Sequence, residues 1–557
     1  MPLLERRIGL LFAVFLMLLV VAFARALYFG TIRGDALAQV ATTQQVATVV
    51  VPAQRGTITD RRGSELAVSE ASATIVANPR LVKAPESAAK ALAPLLEMRQ
   101  EAVLRALTKP GKGYVVVRRQ VRAAVADRVA RLQLAGITHE ASERRLYPRG
   151  LLAAQVLGFV GRDDGGVAVG REGLEYARDK LLSGAAGRRR TLRDALGRTL
   201  QVQELAPARP GARLELTLDA AVQERAEAVL AKVGAKYAPK SATAVVLDPQ
   251  TNEILAMANW PRVDANAPAD APPEARQNRA VAATYEPGST FKAFTVAGAL
   301  QEGEVTPDTV FDLPPTIQVA DRVIGESHPR GTEALSTSQI LAQSSNVGAV
   351  KVGLRLGQTR FDRWVRRFGF GRPTGVDLPG EERGIIKPVS AYSGSSMGNL
   401  PIGQGESVTT LQMAAAYSVI ANGGVLRKPR LVRRVNGRRA APPDAERIIS
   451  ERVSGQVRRM LEGVFAPGGT AEEVSIPGYV LAGKTGTANK VDAKTGEYSQ
   501  DDYVASFVGF APARDPRLLV SVMVDEPRGA IYGGVVAAPA FGEIAEFALS
   551  YLRIPPT

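Results

Sequence analysis

No cysteine occurs anywhere in the 557 residues, and histidine is nearly absent, with only His139 and His328. The missing thiols exclude a disulfide framework, a thiolate zinc site and a cysteine nucleophile together. Two imidazoles are too few for a histidine metal cluster, and a Ser-His-Asp mechanism would hang on one of them. A catalytic base is therefore expected to be Lys, Asp or Glu, with no metal and no cofactor. Acidic residues are also in deficit, 55 against 70 Lys and Arg, for a formal charge of +15. Such a balance suits nucleic acid, anionic lipid or an acidic polymer. The arginine clusters, Arg188-Arg189-Arg190 and Arg433-Arg434, are short and lack a zinc-ligand, RNA-binding or basic-zipper context. A solvated arginine-rich surface is the simpler reading, and no nucleic-acid partner is expected.

Runs long and apolar enough to cross a bilayer are equally scarce, and the one at the N-terminus is informative. From Ile8 to Ala24 no charge occurs, and the apolar character continues through Leu27 and Phe29 despite Arg25. That is roughly the twenty residues a bilayer requires. Arg6 and Arg7 precede the run, which by the positive-inside rule keeps the N-terminus in the cytoplasm and places the rest outside it. The competing reading is a cleaved signal peptide, whose core is usually shorter and ends at a small-residue site. This run ends in Arg25-Ala26-Leu27-Tyr28. The expected order is a cytoplasmic tail over 1–7, a transmembrane helix over 8–29, a polar stalk over 30–45 and one extracytoplasmic body.

That body is too long for one compact core. Residues 46–206 mix short strand-like runs, such as Tyr114-Val115-Val116-Val117, with Ala/Leu/Arg helical patterns, and show no repeat and no obvious chemistry. Two prolines and a glycine around 207–212 predict a linker. Beyond it, Ala242–Leu247 and Glu253–Ala258 predict a hairpin. A helical middle follows, then strands at Tyr479–Leu481, Val504–Phe510 and Leu518–Val524 and a closing helix from about Ala540 to Leu552. Strands at both ends of a helical middle predict one mixed sheet in an α+β, three-layer domain over 213–557.

Three short motifs in this domain carry chemistry. In Tyr285-Glu286-Pro287-Gly288-Ser289-Thr290-Phe291-Lys292 a Pro-Gly turn precedes a helix-forming run, Phe291–Leu300, so Ser289 falls at a helix start with Lys292 three residues on. An amine beside a hydroxyl on one helix face can take its proton, provided the amine is neutral. Alone, such a pair is more often a cap followed by a solvated lysine. The second motif is Ser344-Ser345-Asn346, between apolar stretches. Its bland reading is a turn; its functional one gives Ser344 a proton relay and Asn346 a contact to a substrate backbone. The third is Gly483-Lys484-Thr485-Gly486-Thr487. On an edge strand, Lys484 with the hydroxyls of Thr485 and Thr487 can bind a carboxylate, Gly486 permits close approach, and a backbone N–H near Thr487 can join that of Ser289 in an oxyanion hole. A second copy, Lys494-Thr495-Gly496, lies in polar surroundings and reads as a surface turn.

In this order and at these separations the three motifs form the signature of penicillin-binding proteins and the related β-lactamases. The chain resembles class B penicillin-binding proteins over nearly its whole length. Arg55-Gly56-Thr57-Ile58-Thr59-Asp60-Arg61-Arg62-Gly63, with Leu66-Ala67 after it, is similar to the start of that class's non-catalytic pedestal, a dimerisation-type domain. As a charged, glycine-punctuated turn it can pair Arg with Asp and orient two domains. Gly170-Arg171-Glu172-Gly173-Leu174-Glu175, Asn278-Arg279-Ala280, Gly403-Gln404-Gly405 and Tyr532-Gly533-Gly534 extend the likeness. No glycosyltransferase carboxylate signature stands in the N-terminal half, which sets class A aside. Leu66-Ala67-Val68-Ser69 and Asn399-Leu400-Pro401-Ile402 look most like the cell-division branch, the penicillin-binding protein 3 type; the elongation branch is the alternative.

The resemblance implies a transpeptidase fold with a central, mainly antiparallel sheet flanked by helices. It implies a serine D,D-transpeptidase acting on peptidoglycan stem peptides, with Ser289, Lys292, Ser344, Asn346 and Lys484 catalytic and Thr485, Gly486 and Thr487 binding substrate. β-Lactams would trap the same serine. A separate membrane glycan polymerase and other divisome proteins would be partners. A D,D-carboxypeptidase or β-lactamase passing the acyl group to water, or a β-lactam sensor, would share the motifs. His328 reads as structural.

Overall fold

A computed structural model describes residues 2–32, 46–163, 167–193, 199–492 and 495–556. The expected stalk falls largely on 33–45, outside the described residues. Helix α1, Pro2–Leu27, contains the uncharged run, and its side chains from Arg7 onward are exposed. At about 1.5 Å per residue it is long enough for a hydrocarbon core of about 30 Å. Among the described residues it is the one helix long and apolar enough to cross a membrane.

By its packing the chain forms two units, Met1–Gln54 with Gly184–Gly211, and Arg55–Ser183 with Ala212–Thr557. In the first, strands Val46–Val51, Gly187–Arg193 and Thr199–Ala206 form an antiparallel sheet with the middle segment at its centre. The chain re-enters the second unit at Ala212, inside the Pro/Gly segment read as a linker.

In the second unit one sheet is built from distant stretches. Ile58–Thr59 pairs with Glu65–Ala77 on one side and, in parallel, with Leu214–Leu216 on the other, and Leu214–Leu216 continues to Val432–Val435. The two helices Pro85–Leu96 and Ala123–Arg131 cover its outer part through Leu92, Leu96, Val125 and Val129. The motif beginning at Arg55 sits where these stretches meet. Arg55 pairs with Glu175 at 2.6 Å and Asp179 at 2.7 Å, rather than with the Asp of its own turn. Asp60 instead accepts from the backbone N–H of Arg62, Ser64 and Ala220. Arg62 pairs with Asp219 at 2.9 Å.

Asp219 caps α2, Ala220–Tyr237, by accepting from the Ala221 and Val222 N–H groups. The hairpin follows as β1, Ser241–Asp248, and β2, Glu253–Trp260. The helical middle supplies α3, Lys292–Gln301, α4, Thr337–Ala342, α5, Asn346–Leu356, and α6, Thr410–Ala421. The chain then returns as β3, Ala482–Val491, β4, Tyr498–Ala511, and β5, Leu518–Asp525, and closes with α7, Gly533–Tyr551. The sheet order is β2-β1-β5-β4-β3, antiparallel throughout, with β3 at an edge.

Alternation along the strands divides the core. Val245, Leu247, Leu519 and Met523 face the layer containing α6, whereas Ala244, Val246, Val520 and Val522 face α2 and α7. All 12 residues of α6 are buried, which is why its sequence carries no polar face. The strand expected at Tyr479–Leu481 is absent: Pro477-Gly478 closes a turn in which the Tyr479 N–H reaches Ile476 O, and β3 starts only at Ala482. The second Thr-Gly pair, Thr495-Gly496, is exposed in the β3–β4 connection, and Lys494 lies outside the described residues.

Candidate active site

The Pro287-Gly288 turn opens a 3₁₀ turn, Gly288–Phe291, so Ser289 stands just ahead of α3 rather than within it, and Lys292 is the first residue of the helix. Ser289 is partly exposed and lines a cleft of about 650 Å³; Lys292 is fully buried. Burial of the Lys292 ammonium pushes its pKa down to about 7; the charge of Glu326 opposes this shift, and that of Arg330 adds to it. A lysine poised there is neutral often enough at neutral pH to take a proton from a hydroxyl.

The second motif grips this amine. Lys292 Nζ donates to Ser344 O at 2.6 Å and to Asn346 Oδ1 at 2.7 Å, with Ser344 Oγ at 3.4 Å. Asn346 Nδ2 donates to Gly325 O at 2.9 Å, so the carboxamide expected to meet substrate is held by protein on both sides. Ser344 has φ +62, a left-handed conformation costing a non-glycine residue of order 1–3 kcal/mol, and it directs the Ser344 carbonyl at the amine. Ser345 caps α5 by accepting the Gly348 N–H.

Glu326 lies outside all three motifs and holds the second one in place. Its carboxylate accepts from Ser345 Oγ at 2.5 Å and from the Asn346 and Val347 N–H groups at 2.7 and 3.1 Å. An anion at the N-terminus of an 11-residue helix is favourable, and here it fixes the whole second motif. Nothing in the local sequence around Gly325-Glu326-Ser327 signals this, because the partners lie about twenty residues on.

The third motif lies on the edge strand β3. Lys484 is fully buried, and burial together with the charge of Lys292 holds its ammonium well below the usual lysine range. Its Nζ lies 3.2 Å from Thr485 O and 3.3 Å from Thr485 Oγ1. Thr485 and Thr487 line the cleft with Ser289, Ser344 and Asn346. Gly486 is crowded by protein: a Cβ there would lie 2.3 Å from Ser506 Oγ and 2.9 Å from Pro287 O. That glycine lets the nucleophile turn press onto the strand. Gly403 O accepts the Gly288 N–H at 3.0 Å, which places the Gly403-Gln404-Gly405 turn against the same loop. His328 is exposed on the cleft wall, its ring 5.2 Å from that of Tyr532. Among the described residues no group of three or more His, Asp or Glu side chains is placed to hold a metal.

A buried amine with a depressed pKa, a nearby hydroxyl, a second buried amine and a hydroxyl-lined edge strand are the parts of a serine acyl-transfer site. A family model described as penicillin binding protein transpeptidase domain matches residues 242–546, and one described as penicillin-binding protein dimerisation domain matches 50–216. The chain is 35% identical over 548 residues to Stage V sporulation protein D of Bacillus subtilis, covering 95% of this chain and 83% of that protein. It is 33% identical over 560 residues to peptidoglycan D,D-transpeptidase FtsI of Escherichia coli, covering 99% and 92%. Among solved structures it matches penicillin binding protein 3 from Mycobacterium tuberculosis complexed with aztreonam, with a TM-score of 0.72 and 30% identity, over 91% of this chain and 98% of that one.

Proposed function

The chain belongs to the penicillin-binding proteins that carry a transpeptidase and a dimerisation domain, and on that premise we propose that it cross-links peptidoglycan stem peptides as a class B D,D-transpeptidase with Ser289 as nucleophile. The observation that carries the reading is Lys292, buried one helical turn after Ser289, fixed by Ser344 and Asn346, and depressed to about 7. Neutral Lys292 takes the Ser289 hydroxyl proton as Oγ bonds to the carbonyl carbon of the penultimate D-Ala. The backbone N–H groups of Ser289 and Thr487 bear the developing oxyanion. The peptide C–N bond breaks, and the terminal D-Ala leaves as an amine with a proton delivered through Ser344 and Lys484. An amine of a neighbouring stem then attacks the ester, and Ser289 recovers its proton. Asn346 fixes the base, while Thr485 and Thr487 seat the terminal carboxylate beside Gly486.

In this reading residues 46–206 are a non-catalytic pedestal and 213–557 the catalytic domain. α1 spans the membrane with the N-terminus inside, and the site works outside the cytoplasm at the division septum. A separate membrane glycan polymerase and other divisome proteins are its partners, and β-lactams acylate Ser289. Covalent labelling by a fluorescent penicillin tests the nucleophile: Ser289→Ala abolishes it in a folded protein, and stoichiometric labelling of that variant would refute the assignment. Rapid release of hydrolysed penicillin by the unmodified chain would make it a hydrolase. A tagged chain gathers at mid-cell; a side-wall distribution would assign it to elongation.

A further inference from the structure

The reaction proposed above needs a seat for the terminal carboxylate of the donor peptide, and the cleft is short of positive charge to provide it. Among the described residues lining the cleft, Arg330 is the one Arg or Lys. Its guanidinium is held by Glu333 Oε1 at 3.2 Å, Gln343 Oε1 at 3.1 Å and Gln343 O at 3.0 Å. Lys484 stands buried within the edge strand rather than in the cleft lining. Neutral donors must therefore carry much of the recognition, and the wall around β3 offers hydroxyls.

A threonine hydroxyl has one proton and two lone pairs. Thr487 Oγ1 accepts the Gly533 N–H at 3.0 Å, so its own proton is left for the cleft. Thr485 Oγ1 lies 2.7 Å from Thr470 Oγ1. Whichever of these two donates, one proton closes the contact between them and the other is presented outward, polarised by its neighbour. Thr470 also lines the cleft, and it is held firmly. The Ala471 N–H donates to Val464 O at 2.9 Å, and the Gly468 N–H donates to Glu472 Oε2 at 2.8 Å. A Cβ on Gly534 would lie 2.3 Å from Thr470 O, so the start of α7 packs directly on this loop.

We propose that Thr470 is a third hydroxyl of the carboxylate seat, acting with Thr485 and Thr487 on the terminal carboxylate of the donor peptide and on that of a β-lactam. The proposal rests on the transpeptidase reading, and one experiment separates the two. Acylation rate constants of the full chain are measured with benzylpenicillin and with its methyl ester, which lacks the anionic carboxylate. Thr470→Val slows acylation by the acid about tenfold and by the ester less than about twofold, as expected for one hydrogen bond to a charged group. Thr470→Ser restores the acid rate. Thr470→Ala adds no bulk and carries the same expectation should the valine variant fail to fold. Equal losses on acid and ester, or no loss on the acid, overturn the role of Thr470. An unmodified chain that neither compound acylates overturns the transpeptidase reading instead.

Discussion

Lys292 and Asn346 are joined by a 2.7 Å hydrogen bond in which the amine donates to the carboxamide oxygen, and the amide's other end is tied to Gly325 O. The asparagine thereby acts on the base and fixes its position, while remaining uncharged. Neutrality matters because a carboxylate at that distance would hold the lysine protonated.

Asn346→Asp is therefore expected to raise the pKa of Lys292 from about 7. In the unmodified chain, acylation by penicillin rises with pH through about 7 as Lys292 loses its proton. In the variant this limb moves to higher pH, and the rate at neutral pH falls about tenfold or more, one pKa unit being worth a factor of ten. A pH–rate profile of acylation checks both the sign and the displacement; an unmoved limb assigns the titration to another group.

The same depressed pKa has a consequence for stability. The folded value, about 7, lies below that of an unfolded lysine. Below about 7 the ammonium is protonated in both states, and its burial destabilises the fold in full. Between there and the usual lysine value the unfolded chain binds more protons, so this penalty fades as pH rises. Lys292→Met, which abolishes labelling, is expected to raise the thermal midpoint more at pH 6 than at pH 9. A larger gain at pH 9 would contradict the burial assignment.

Ser344 holds φ +62 while its carbonyl accepts from Lys292. Glycine adopts this conformation without the steric penalty of a side chain. Ser344→Gly is expected to leave stability unchanged or raise it by up to about 1 kcal/mol, while acylation slows because the hydroxyl is gone. Denaturant unfolding and acylation measured on one preparation separate the two effects. Parallel losses in both would show that the serine side chain holds the fold.

The three motifs were legible because each is a short run whose chemistry is local in sequence, and the short apolar runs of β1, β2 and β5 made the sheet legible with them. What stayed hidden came from contacts between distant segments. Glu326 reaches Asn346 and Val347, Thr470 reaches Thr485, and Arg55 reaches Glu175, and no periodicity connects these pairs. Gly486 shows a different limit. The sequence marks a close approach there but not the approaching atoms, which prove to be Ser506 Oγ and Pro287 O. The apolar Tyr479-Val480-Leu481 reads as strand by composition, and only the Tyr479 N–H contact to Ile476 O shows it to be the exit of a turn.

Glu175 carries the last prediction. It is fully buried, and its two carboxylate oxygens serve two cations, Arg55 Nε on one and Arg145 Nε on the other, each at 2.6 Å. Both guanidiniums are only 5% exposed. Arg55 keeps Asp179 as a second partner, whereas among the described residues Arg145 otherwise hydrogen-bonds to neutral oxygens, Gly56 O at 2.8 Å and Ser69 Oγ at 3.4 Å, and feels the Glu143 carboxylate through charge alone. Glu175→Ala thus strands positive charge in the interior, and a loss of about 3–5 kcal/mol is expected from urea unfolding. Because desolvating the ions offsets most of what their pairing contributes, replacing all three residues by apolar ones of similar volume should cost less than the single change. A triple Arg55→Met, Arg145→Met, Glu175→Leu variant that unfolds more easily than Glu175→Ala would instead make the ion triad itself a net source of stability.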